Sequence, residues 1–285
     1  MTANTLGIYI ERNLKKAKIH EREILRSPEY QLELSFLRRT VLDLARSIRL
    51  CEFAASRWHE FNTSYLLPSY LDDIIEAAMA AQVAIENGLL NTARRELRYM
   101  LEVAVNIAYV DEIKAGESFE DRINYYRGKG VNKSNVDHVF DLPLRMLGDQ
   151  KNSFACSVRS SWVKASNYVH LTKRRVDEKL QLREQGISLG FETTAMLTNV
   201  VADVHEVCSI VMVLTFETIG PPFTGDLLVG VLDQNDDWTL HASGYVALVD
   251  SYFDYKHERQ KELEKHVSRR NRRIRFPVSF ALCKC

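Results

Sequence analysis

Residues 193–218, TTAMLTNVVADVHEVCSIVMVLTFET, read as one long apolar helix, which Gly220-Pro221-Pro222 stops. The most apolar part, Val207 to Ile219, is too short to span a membrane and carries Glu217, so a buried helix in a water-soluble bundle is expected. The same periodicity extends in both directions. On the C-terminal side, 223–233 suits a short helix and 251–273 a strongly charged one, while 238–249 suits strand or helix. The tail 275–285 alternates in β fashion around Pro277.

On the N-terminal side, 5–26 is a charged helix with Leu6, Ile10, Leu14 and Ile19 as a weak apolar stripe, ended by Ser27-Pro28. A second helix covers about 30–60 and is expected to pair with the first as a hairpin. Pro68-Ser69 with Asp72 resembles a capping box and starts a third helix, which ends at Asn87-Gly88. Asn91 is expected to cap a fourth, which ends near Gly116, and Ser118 a short fifth. Helices resume near 150–164 and 171–184. The expected fold is all-α, an antiparallel helical bundle. It divides into an N-terminal segment (1–66), a helical core (67–219) and a C-terminal extension (220–285).

Composition agrees with that class. Only 12 Gly and 6 Pro in 285 residues is too little turn chemistry for a sandwich or a doubly wound sheet. At 46% hydrophobic and 27% charged residues, the chain supports a core and is neither collagenous nor disordered. The five cysteines, at 51, 156, 208, 283 and 285, form no CxxC pair, and free thiols in a reducing cytoplasm are expected. The start of the chain has no basic stretch leading into an apolar run, so a cytoplasmic location with no membrane partner is expected.

Thirty-eight basic and 38 acidic residues cancel overall, but unevenly. Residues 1–50 carry 10 Lys/Arg against 6 Asp/Glu, residues 256–275 carry 9 against 3, and 51–255 carry 18 against 29. Basic ends can hold phosphates. They can equally dock on the acidic middle of a second copy or stay solvated. The run Arg269-Arg270-Asn271-Arg272-Arg273 is the sharpest basic patch. Five aromatics between Trp238 and Tyr255 precede it, a pattern that suits single-stranded nucleic acid or plain core.

Two constellations could carry chemistry. Arg94, Arg98, Glu102 and Asn106 recur every four residues and line one helix stripe, either an interhelical ion-pair ladder or a polar pocket wall. Ser166-Asn167-Tyr168-Val169-His170 follows Arg159 and Trp162 and precedes Lys173, Arg174 and Arg175. An imidazole among cations suits proton transfer near a phosphate, or is a structural histidine at a helix junction. His205-Glu206 lacks the second His of a metalloprotease box. Cys208, three residues on from His205, finds no further ligands, so core packing is expected and no metal. Asp177-Glu178-Lys179 lies on a helix, not the strand a nuclease site needs. No nucleotide-binding glycine motif is present, so no cofactor is expected.

The Arg94-to-Asn106 helix, followed some sixty residues later by Ser166-Asn167-Tyr168-Val169-His170, resembles HEPN-superfamily helical domains. It is most similar to a bacterial branch with a Ser-x-Tyr-Val-His signature. The resemblance covers roughly 67–219 and implies a helical bundle that dimerises. It also implies RNA as target, by binding or by metal-independent endonucleolytic cleavage, in antiviral defence or toxin–antitoxin systems. Cleavage in that family uses an Arg four to six residues before the His. Here residue 165 is Ala and 163 is Val, and Lys164 is the cation at the allowed spacing. The resemblance therefore assigns His170 and Lys164 as catalytic candidates. Arg159, Lys173, Arg174, Arg175, Arg269, Arg270, Arg272 and Arg273 become nucleic-acid contacts, and Arg94, Arg98, Glu102, Asn106 and Tyr168 a polar pocket. The rival expectation is a non-catalytic helical scaffold, a homodimer that recruits a protein partner.

Overall fold

Thr193 opens the helix around which the chain is arranged, its hydroxyl accepting the Met196 N–H at 3.2 Å. The computed structural model describes residues 11–128, 136–168 and 192–278, the backbone of 3–10, and the isolated positions Val176, Asp177, Leu180 and Glu184. The helices are α1 (Ala3–His20), α2 (Pro28–Ala55), α3 (His59–Ser64), α4 (Leu67–Glu86), α5 (Leu90–Ile113) and α6 (Phe119–Arg127). They continue as α7 (Lys151–Ser166), α8 (Thr194–Gly230), α9 (Gly244–Ser251), α10 (His257–Gln260) and α11 (Leu263–Arg273). Among the described residues the bundle is all helical, with no strand.

Five successive α8 residues, Ile210 to Leu214, are each at most 1% exposed, so this helix has no solvent side. A helix apolar all round has to be wrapped. α2 lies along it, α5 and α4 close further sides, and α9 covers its later part. Each fully buried Val, Ile, Leu, Met or Phe contributes about 1.5–3 kcal/mol. Its buried hydroxyls are satisfied within the helix: Ser209 donates to His205 O at 2.7 Å and Thr215 to Val211 O at 2.8 Å. By length and composition α8 is apolar enough to cross a membrane, yet 78% of its most apolar window is buried by its own neighbours. Gly220, at φ 82°, breaks the helix where expected, but Pro221 and Pro222 begin a new helical stretch instead of ending the element.

Several expectations need correction. α2 does not spend its surface on α1. It packs on α8, so the N-terminal helical hairpin is not the arrangement found. One apolar cluster runs from Tyr30 to Phe253. The segment 238–249 takes the helical of its two expected forms, a 3-10 turn followed by α9, and in the described part of the tail the β character is a bridge between Ser243 and Phe276. Cys51 and Cys208 are free and buried, but Cys156 is disulfide-bonded, against the expectation of free thiols throughout.

α4 starts at Leu67, before the expected cap, and Ser69 caps nothing. The amides of Leu66 and Leu67 are instead held by the Asp111 carboxylate of α5, at 2.8 and 3.0 Å. Arg122 of α6, fully buried, donates to Asp111 Oδ1 at 2.9 Å and to Asp111 O at 3.2 Å, and its guanidinium lies 4.3 Å over the Tyr65 ring. Burial raises the Asp111 carboxyl, and the amides and Arg122 oppose that rise. α5 likewise lacks the expected Asn91 cap, whereas Ser118 caps α6 as expected, accepting from Asp121 N–H at 3.2 Å.

Two buried histidines close the C-terminal part onto the core. His205 Nε2–H donates to Thr239 O at 3.1 Å, and His241 Nε2 lies 3.2 Å from Leu232 O. Burial pulls both rings down to about 4. Both are neutral in the fold, whereas the unfolded chain protonates them near pH 6.5.

Two outcomes follow. Asp111→Ala strips two amides and orphans a buried guanidinium, so urea unfolding should report a loss of about 3–5 kcal/mol. The stability carried by the two neutral histidines is complete above pH 6.5 and falls as pH drops toward 4, by about 1.4 kcal/mol per pH unit for each ring. Thermal melts from pH 7 to pH 4.5 should show that slope, and His205→Gln, which keeps a donor to Thr239 O, should flatten it.

Candidate functional site: a charged seam between α5, α7 and α8

The α5 stripe expected from sequence faces α7. Arg98 Nε donates to Glu102 Oε1 at 2.7 Å, and Trp162 Nε1 of α7 donates to the same oxygen at 2.7 Å. The Arg98 guanidinium lies 5.2 Å from the Trp162 ring centre. Glu102 therefore serves one cation and one indole, and Arg98 covers the indole face. One turn toward the α5 N-terminus, Arg94 lies 4.1 Å over the Tyr168 ring. Arg94 Nε approaches Asp203 Oδ2 of α8 at 3.8 Å, and Lys164 forms an ion pair with Asp203. Asn106 is 6% exposed, and its Oδ1 accepts no hydrogen bond among the described residues.

Glu206 lies one turn beyond Asp203 on the same face of α8. Burial raises its carboxyl, Asp203 adds to the rise, and the Ser161 hydroxyl and Lys164 lower it. Arg94, Ser161, Lys164, Asp203 and Glu206 enclose only about 10 Å³, room for one water. The seam thus holds two cations and two carboxylates in a compact cluster, with Lys164 half-exposed and Tyr168 at its edge.

Sequence reasoning placed Arg94, Arg98, Glu102, Lys164 and Tyr168, and these come together. It missed Asp203 and Glu206. The available signal was two carboxylates three residues apart inside an apolar run, where a buried charge needs a partner. His170, Lys173, Arg174 and Arg175 lie outside the described residues. Arg159 sits away from the seam, 3.4 Å from Asp137 on the surface.

The C-terminal arginines are placed differently from the expected nucleic-acid patch. Arg269 bonds Asp236 Oδ1 at 2.5 Å, Arg273 pairs with the same carboxylate, and Arg270 bonds Asp250 at 2.6 Å and also pairs with Asp254. Arg259, 1% exposed, holds Asp250 at 2.5 Å and Asp233 at 2.7 Å. The acidic middle that answers the basic end belongs to the same chain, and only Arg272 of the four stays exposed without an ion pair among the described residues. His205 and Cys208 are buried core residues, and no cluster of three metal-ligating side chains exists among the described residues.

No protein family, curated protein or solved structure matches the chain. The reading of the seam therefore rests on its own chemistry.

Trp162→Phe should keep the ring and remove its N–H, leaving Glu102 with Arg98 alone. The expected cost is about 1–3 kcal/mol in urea unfolding, with the fold unchanged by circular dichroism.

Proposed function

We propose that the protein is a cytoplasmic RNA-engaging helical protein of HEPN-like type, of the kind used in antiviral defence or toxin–antitoxin systems. It would engage RNA at the α5–α7 seam and not through its C-terminal arginines. One observation carries this reading. Arg94 stacks on Tyr168, two positions before His170, so two motif halves far apart in sequence come into contact. In the corresponding reaction a ribose 2′-hydroxyl attacks the adjacent phosphate, His170 moves the proton, and a cation stabilises the developing charge. Arg94 is the better candidate for that cation, because it stacks on Tyr168 and its approach to Asp203, at 3.8 Å, is longer than that of Lys164. Tyr168 offers a face on which a base could stack.

A second reading, a non-catalytic interaction scaffold, is favoured by the internal pairing of Arg269, Arg270 and Arg273. Incubation with cellular RNA in EDTA separates the two. Fragments ending in 2′,3′-cyclic phosphate, absent with His170→Ala, support cleavage. Intact RNA with a mobility shift that Arg94→Ala weakens about tenfold, and that Arg269→Ala leaves unchanged, supports binding at the seam. Intact RNA with no shift overturns the RNA reading in favour of the scaffold.

A further inference from the structure

α4 and α5 leave an open groove of about 790 Å³ on the side facing away from α8. Its floor includes Ile75, Met79 and Val83, spaced i, i+4, i+8 along α4, and Leu89 at its end. Met79 is 56% exposed and Val83 57%, which is unusual for adjacent apolar ridge positions. Asp72 and Glu76 line the groove, and Asp72 is already paired with Arg49 of α2. Glu76 takes part in no ion pair among the described residues. An apolar floor with an acidic flank fits a basic amphipathic helix.

The chain carries such a helix. α1 has Leu6, Ile10 and Leu14 at the same i, i+4, i+8 spacing, beside Arg12, Lys15, Lys16 and Lys18. Leu14 is 59% exposed and all four cations are exposed. Three anchors eight residues apart span about 12 Å on either helix, so the two ridges match in length. The base of α1 is fixed beside the mouth of the groove. His20 Nε2 lies 2.8 Å from Glu192 O, and the Glu192 carboxylate accepts from Tyr30 Oη at 2.8 Å. That carboxylate also sits against Gly88, in the turn between α4 and α5. With His20 clamped, Leu14 and the α1 cations stay exposed, available to a second molecule.

We propose that the α4–α5 groove is an interface that receives α1 of a second copy of this chain, giving a two-fold dimer by reciprocal arm exchange. The exchange is isologous: each molecule gives one arm and receives one. It places an apolar ridge on an apolar floor and lysines against carboxylates, which orients the arm.

Sedimentation velocity on the full chain tests this, with circular dichroism to confirm folding. The wild-type chain should be dimeric at micromolar concentration. Met79→Lys, at an exposed site, should raise the dimer dissociation constant at least tenfold. Glu76→Lys should weaken the dimer as well, and adding Lys15→Glu and Lys16→Glu should recover part of the loss. Mixing a Leu14→Cys chain with a Met79→Cys chain should give a mixed disulfide dimer under mild oxidation. A monomer at all concentrations, a dimer indifferent to Met79→Lys, or a dimer that survives deletion of residues 1–20 would overturn the proposal. The RNA assay has a separate readout, so either reading can fail alone.

Discussion

A helix without a polar face cannot rest on a bundle's surface, and that constraint on α8 governs the rest of the molecule. Burying Ile210 to Leu214 on every side requires neighbours all round, which is why α2, distant in sequence, becomes a core element. The same requirement explains how the polar side chains on α8 are treated. The buried serine and threonine hydroxyls turn back to their own helix carbonyls. The charges are met from outside: Asp203 by Arg94 and Lys164, and Glu217 by the amides of Arg145 and Met146 at 2.9 and 2.8 Å. Burial still holds Glu217 up at about 7, so two amides only partly replace its lost hydration.

Charge in this protein is largely answered internally. The neutral total conceals basic ends and an acidic middle, and the fold brings Arg259, Arg269, Arg270 and Arg273 onto Asp233, Asp236, Asp250 and Asp254. Exposed members of this set, such as Asp236, contribute little to stability, whereas the buried Arg259 with Asp250 fixes how α10 meets α9. An arginine run looks in sequence like a surface waiting for phosphate. Its spacing from those aspartates says nothing of tertiary proximity, so only the folded chain reveals that Arg269, Arg270 and Arg273 of the run are already paired. Unanswered charge sits instead on α1 and beside the α4–α5 groove.

The all-helical class was legible because the apolar period was strong and glycine scarce, and stop signals such as Asn87-Gly88 act locally. Helix starts were less legible. The α4 amides are held by Asp111, 45 residues from Leu66, and no local pattern around Pro68 encodes a cap supplied by another helix. At the seam, Arg98 and Glu102 were readable because helical spacing places them together. Their link to Trp162 depends on the packing of α7, and Asp203 and Glu206 were obscured by the apolar run that contains them.

The ring of His205 stacks on Phe276 with centroids 4.2 Å apart, and Phe36 lies 6.4 Å from the same phenyl ring. Three parts of the chain, from α2, α8 and the tail, thus share one aromatic seam. During synthesis α2 and α8 emerge well before Phe276. At about 5–20 residues per second, the growing chain holds an uncovered imidazole for roughly 4–14 s after His205 is made. The newborn bundle therefore passes through a stage in which its most apolar helix lacks its last cover. Ribosome-associated chaperones have a natural window there, and a chain cut short before Phe276 never leaves that stage.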